Sequence, residues 1–287
     1  MKYPPPPHPS PTKPNFELPP GACDSHVHVF GPSNIFPYHS KTTYKPVDAP
    51  KTRLQEVHGI LGVDRAVIVQ ATCHGTDNRA TLDAISSSNG RWKGVAIVDE
   101  NFSEKDFEDL DKSGIKGVRF SFARHLSVAP DFQRVRRIAE KIKGLDWHLV
   151  IYIEAEDIIE FSEDLRKFQI PIVFDHMVRV KVAEGIGSRP FQRLLDFIRN
   201  EDVWVKISCA ERLSEVGPPY ADVVPFAQAL IAANSDRVLW GTDWPHPNLW
   251  QGMPDDGNLV DLIPFYIPDP VIQDKVLVAN PARLYGF

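Results

Sequence analysis

Between residues 22 and 243, short apolar runs rich in β-branched residues recur, each closed by a polar turn and followed by a stretch of helical periodicity. The runs predict strands at 22–30, 65–71, 94–99, 117–122, 148–155, 170–176, 203–209 and 238–243. Helical periodicity falls between them, at 51–61, 76–88, 103–112, 131–142, 157–168, 190–199 and 220–233. Alternating strands and helices imply a parallel sheet with covered faces. Eight such units predict a single α/β domain over 21–287, a closed (β/α)8 TIM barrel rather than an open doubly wound sheet. No GxGxxG or GxxxxGK[ST] segment follows any of these strands, so the usual phosphate cradle of nucleotide enzymes is missing.

The first twenty residues break the pattern. Nine prolines before residue 21 favour an extended arm, read here as lying on the surface or on a neighbouring subunit, with a Pro-rich ligand for a partner module as the alternative. This stretch has no apolar segment of signal-peptide type, and no run in the chain approaches a membrane span, so no membrane partner is expected. Net charge is -6, which leaves no basic excess for a phosphate backbone and argues against nucleic acid. Cys23, Cys73 and Cys209 are odd in number and widely spaced. They read as free thiols in a reducing, cytoplasmic setting.

A barrel of this type carries its chemistry at the C-terminal ends of its strands. Strand one presents His26-Val27-His28, whose period of two points both imidazoles inward. Strand six ends in Asp175-His176, and strand eight ends in Gly241-Thr242-Asp243, followed by Trp244-Pro245-His246-Pro247-Asn248. Arg119, Arg124, His125, Arg179 and Arg212 lie at or just beyond strand ends four, six and seven. Guanidinium groups bind carboxylates bidentately and stay charged, so these arginines suit a dianionic substrate. Cys73 and Cys209 also lie near strand ends, without the paired base that a thiolate nucleophile needs.

With HxH, His176 and Asp243 at these positions, and Asn280-Pro281-Ala282-Arg283-Leu284-Tyr285 near the C-terminus, the chain resembles the amidohydrolase superfamily, in its "amidohydrolase 2" branch. Four further segments narrow the resemblance to the 2-pyrone-4,6-dicarboxylate lactonase group: 69–78, 175–177, 241–248 and 254–257. The resemblance implies a hydrolase that opens an anionic lactone, a small-molecule dicarboxylate formed during aerobic breakdown of lignin-derived aromatics. Related lactonases for sulfonated or sugar-derived lactones, and metal-dependent decarboxylases, share the frame. It also implies substrate contacts from Tyr44, Tyr152 and His74, with Asn248 able to donate to an anion. His74 reads equally as a cap for a helix begun at Thr76.

Two departures bear on mechanism. Strand four offers Arg119 where a bridging Lys or Glu is expected, and strand five ends in Tyr152 and Glu154 without a histidine, which leaves no binuclear site. No cofactor is expected, with one Zn²⁺ on His26, His28, His176 and Asp243 as the alternative. The group shows Lys-Arg where this chain has Arg124-His125, so one carboxylate clamp differs. Without a metal, Asp243 is the expected general base, and His26, His28 and His176 the expected donors around the lactone carbonyl.

Overall fold

The computed structural model describes residues 3–123, 126 and 131–287. Eight parallel strands follow one another in chain order: β1 (Cys23–Val27), β2 (Arg65–Val69), β3 (Trp92–Ala96), β4 (Ile115–Ser121), β5 (His148–Tyr152), β6 (Ile172–Phe174), β7 (Val203–Ile207) and β8 (Val238–Trp240). The chain is a (β/α)8 barrel. All strands but β4 are shorter than the apolar runs, and β3 and β4 each begin two residues earlier than expected.

Most strands are apolar on both faces because each face has its own core. Cys23, Val67, Val69, Val95, Val150, Val173, Trp204 and Leu239 fill the barrel interior, together with Tyr285 from the C-terminal segment. Neighbouring residues such as Ile68, Leu149, Phe174, Val205 and Trp240 pack outward beneath the helices. Those helices include α1 (Lys51–Leu61), α2 (Arg79–Ser86), α3 (Glu104–Lys112), α4 (Phe132–Ile142), α5 (Arg189–Asn200), α6 (Val224–Asn234) and α7 (Asp256–Asp261). Ser103 and Asp106 form a reciprocal capping box that starts α3, and Asp131 caps α4. The expected helix over 157–168 is instead two single turns, Asp157–Glu160 and Ser162–Leu165, broken at Phe161.

Closure between the last strand and the first depends on side-chain chemistry. The buried Asp24 carboxylate accepts from the Thr242 amide (3.0 Å) and hydroxyl (2.6 Å), while the Asp243 amide donates to the His26 carbonyl and His28 to the Trp244 carbonyl. Gly241 is required here: a Cβ would stand 2.7 Å from the His26 nitrogen. This stitching brings the HxH segment and Asp243 together.

The Pro-rich arm lies along its own barrel. Thr12 donates to Asp255, and the Asn15 and Phe16 amides donate to Asp261 at 2.7 and 2.8 Å, so the residue that caps α7 and the last residue of α7 hold the arm. Among the described residues, no helix is long and apolar enough to cross a membrane.

Candidate active site

The register of β1 against β2 shifts between Asp24 and Val27. Cys23 lies in the inner core and Asp24 reaches out toward His58 on α1, but His26 and His28 both turn to the barrel axis. Their Nε2 atoms stand 3.6 and 3.3 Å from Asp243 Oδ1, and His176 Nε2 stands 3.7 Å from the same oxygen. Three imidazoles thus face one carboxylate oxygen. The other oxygen, Oδ2, accepts from Arg212 Nη2 (2.9 Å) and Nε (3.2 Å).

The backbone is strained to make this arrangement. His176, Met177, Val178 and Arg179 all have φ between 48° and 53°, and Cys209, Asp243, His246 and Asn248 are left-handed too. Each such residue costs about 1–2 kcal/mol. These left-handed residues cluster at the C-terminal ends of β6, β7 and β8.

His28, Tyr44, Arg119, Tyr152, His176, Arg212, Asp243 and Asn248 line a narrow cleft of about 40 Å3. Arg179 belongs to the adjoining outer recess with Arg212, Asn248 and Trp250. Two expected pocket residues stand elsewhere. His26 is fully buried beneath the cleft, behind Asp243. His74 sits in the turn Thr72–His74 with its ring between Phe30 and Tyr38 and its Nδ1 3.3 Å from the Pro37 carbonyl, so it braces the loop after β1. It is not a helix cap, since α2 begins at Arg79 after Asn78. Arg124 and His125 lie outside the described residues.

The arginines are not a ring of unengaged cations. Arg119 Nε donates to Asp175 Oδ2 at 2.9 Å, Arg179 donates to Glu154 (2.9 Å) and to the Tyr152 hydroxyl (2.9 Å), and Arg212 grips Asp243. Each therefore meets an incoming anion as part of a pair or triad. Cys209 also differs from expectation, because its Sγ lies 3.0 Å from His176 Nδ1. Burial, with Asp243 and Glu211 adding to it, nevertheless pushes the thiol well above its ordinary value.

Two buried networks escaped the sequence reading. Beneath the cleft, fully buried Lys206 on β7 places Nζ 3.0 Å from His26 Nδ1 and 3.1 Å from Asp175 Oδ1. Burial opposes ionisation of Asp175, but Lys206, His26 and Arg119 outweigh it and hold the carboxyl well below the usual range. Burial, reinforced by Lys206, lowers His26 to about 3, so the ring is neutral. Burial likewise keeps His176 neutral. The signal for Lys206 was present in Val203-Trp204-Val205-Lys206-Ile207, where alternation puts the lysine on the same inner face as Trp204.

Beside the cleft, His246 bridges Asp256 Oδ1 (3.0 Å) and Glu211 Oε1 (3.5 Å), and Glu211 Oε1 lies 3.3 Å from Arg212 Nε. Burial works against the His246 charge, but Asp256 and Glu211 overcome it and raise the imidazole to about 10. Asp243 is the end of this chain. Burial disfavours its charge, yet Arg212 and the imidazoles keep it ionised, well below the usual carboxylate range.

His26, His28 and Asp243 lie close enough to suggest a metal site. A neutral imidazole that binds a metal donates its other N–H to an acceptor. His28 meets this condition, with Nδ1 2.6 Å from the Val69 carbonyl. His26 does not: the group aligned on its Nδ1 is the Lys206 donor, while Asp175 Oδ1, 3.1 Å away, has no aligned hydrogen-bond partner. At His26 an ammonium group thus stands where the condition asks for an acceptor, with a carboxylate beside it.

Residues 23–287 match the amidohydrolase family model. The chain is 47% identical over 285 residues to the 2-pyrone-4,6-dicarboxylate hydrolase of Comamonas testosteroni, covering 96% of this chain and 93% of that protein. It is 38% identical to the 4-sulfomuconolactone hydrolase of Rhizobium radiobacter, covering 95% and 92%. Among solved structures it superposes with a TM-score of 0.83 and 28% identity on a Pseudomonas putida protein named provisionally as a 2-pyrone-4,6-dicarboxylic acid hydrolase, covering 94% and 98%.

Proposed function

This chain belongs to the amidohydrolase family, and from that premise we propose that it hydrolyses, reversibly, the lactone of 2-pyrone-4,6-dicarboxylate. The observation that carries the reading is the cleft itself, where ionised Asp243 stands among imidazoles while Arg119 and Arg212 share the wall. A site built only to bind anions would not place a carboxylate at its centre. The 47% identity to a hydrolase of that name supports the substrate class.

In this reading the arginines take the two carboxylates and Asp243 accepts a proton from the water that attacks the lactone carbonyl. The ring C–O bond then breaks, with its electron pair leaving on the ring oxygen as an enolate. Asp243 returns its proton to that oxygen, and the new carboxyl group ionises to solvent. His176 faces the developing oxyanion from the cleft wall. His28 gives its Nδ1–H to the Val69 carbonyl and sets its Nε2 3.3 Å from Asp243 Oδ1, so it positions the base beside the water. A substrate carboxylate that pairs with Arg212 draws charge from the Arg212–Asp243 pair and makes Asp243 a stronger base.

The departing enolate is a good leaving group, and the donor arrangement at His26 is poorly matched to zinc, so we propose that no divalent metal is needed. The substrate would arise by ring cleavage of lignin-derived aromatics in the cytoplasm. Purified protein, assayed by loss of the pyrone ultraviolet band, should turn over 2-pyrone-4,6-dicarboxylate and keep its activity after metal removal. Turnover of 4-sulfomuconolactone or a sugar lactone with the pyrone inert would reassign the substrate, and activity lost on chelation but restored by Zn²⁺ would reassign the chemistry.

A further inference from the structure

The two histidines of the HxH segment face partners of opposite kind. His28 Nδ1 is 2.6 Å from a backbone carbonyl, which can only accept, so His28 carries a hydrogen on Nδ1. His26 Nδ1 is 3.0 Å from Lys206 Nζ, an ammonium group that can only donate, with Asp175 as counterion 3.1 Å from the same Nζ. Asp175 Oδ1 is itself 3.1 Å from that nitrogen, but among the described residues only Lys206 meets it with hydrogen-bond alignment. The His26 hydrogen is thereby driven to Nε2, which has no hydrogen-bond partner and faces Asp243 Oδ1 at 3.6 Å.

We propose that Lys206 is a positioning residue that fixes His26 as the Nε2–H tautomer, so that the first imidazole of the pair is a donor aimed at Asp243 while the second commits its Nδ1–H to the Val69 carbonyl. Lys206 touches no reacting atom. It acts through His26, whose N–H orients Asp243 Oδ1 while Arg212 holds Oδ2. A lysine buried inside the barrel is explained by this role: it is the one side chain that reaches His26 Nδ1 from β7 and brings only protons. The proton position stands independently of the substrate; only its consequence for turnover rests on the hydrolytic reading above.

Imidazole ¹⁵N spectra of the full-length, histidine-labelled protein without substrate test the assignment. The expected result is an Nε2–H pattern for His26 and an Nδ1–H pattern for His28 at neutral pH. In Lys206→Met, His26 should move toward Nδ1–H, now directed at Asp175, whereas Lys206→Gln, which keeps an N–H donor, should retain the original pattern. Wild-type His26 in the Nδ1–H form would overturn the proposal without recourse to any variant, and so would a Met variant with an unchanged His26 pattern. On whichever lactone the enzyme turns over, kcat of Lys206→Met should fall about tenfold, the equivalent of one aligned hydrogen bond, with KM kept and with recovery in Lys206→Gln. A parallel loss in both variants would make Lys206 merely structural.

Discussion

The network beneath Asp243 and the network beside it use the same residue types in opposite settings. Beneath, Lys206, His26, Asp175 and Arg119 come from strand ends and the adjoining residues, where the sheet fixes every Cα, and the imidazole is neutral. Beside it, Arg212, Glu211, His246 and Asp256 come from segments that follow β7 and β8, and the imidazole is a cation held between two carboxylates. Burial is as complete for one histidine as for the other. What separates them is the sign of the neighbours: an ammonium group drives His26 toward neutrality, and paired carboxylates drive His246 toward charge. The strand-borne network controls where a proton sits, and the loop-borne network controls how much charge Arg212 lends to Asp243.

The largest effect should come from the residue on which both networks converge. Asp243→Asn removes the proton acceptor, and general base catalysis is worth about 10² to 10⁴ in rate. Turnover should fall at least about a hundredfold while 2-pyrone-4,6-dicarboxylate still binds, as read by calorimetry alongside single-turnover kinetics. A folded Asn variant with near-normal turnover would leave both networks without a catalytic purpose.

Next in size is the strand-borne network's stability. Asp175→Asn leaves Lys206 and Arg119 buried without their shared counterion, and breaking a buried pair in this way costs about 3–5 kcal/mol. Urea denaturation should show the loss as a lower midpoint. An unchanged midpoint would mean that solvent or another group screens these cations, and the contrast between the two networks would dissolve.

The arginines then separate binding from chemistry. Arg119→Met, Arg179→Met and Arg212→Met each remove charge-assisted pairs worth about 1.5–3 kcal/mol, so kcat/KM should fall at least about tenfold for each. Arg179, in the outer recess and tied to Glu154 and Tyr152, should act mainly on KM. Arg212 also grips Asp243 and should lower kcat as well. Equal kcat losses for both would remove the distinction.

How much of this was legible in the chain follows from which forces are local. Strand order and barrel closure were readable because inner and outer cores each demand apolar residues, which makes the runs around Val67, Val150 and Val205 unmistakable. Asp243, His28 and His176 were readable from their places at strand ends. His26 was placed at the cleft because strand periodicity cannot tell the rim from the layer below it. The pairing of Arg179 with Glu154 and of Arg212 with Asp243 depends on how separate loops fold over each other, and the His28 tautomer depends on a carbonyl of β2 distant in sequence. Lys206 was legible in principle, since a lysine on the inner face of an otherwise apolar strand requires a buried counterion.

The smallest expected effect distinguishes the two imidazoles by pH. His246 is raised in the folded protein to about 10, above its ordinary value of 6.5, so its contribution to stability is fully present below that ordinary value and is lost as pH rises through about 10. His246→Gln keeps a hydrogen-bonding side chain between Glu211 and Asp256 but removes the cation, a loss of about 1 kcal/mol or somewhat more. The Tm difference between wild type and His246→Gln should therefore be greatest near pH 6, shrink progressively above it, and be nearly gone beyond pH 10. His26, lowered to about 3, has the opposite sign: being neutral when folded, it gives a contribution that is complete above its ordinary value and is lost as pH falls through about 3. A His246 variant whose Tm difference stays constant from pH 6 to 10 would show that the imidazole is not held as a cation. Arg212 would then receive its orientation from Glu211 alone, and the loop-borne network would reduce to a single ion pair.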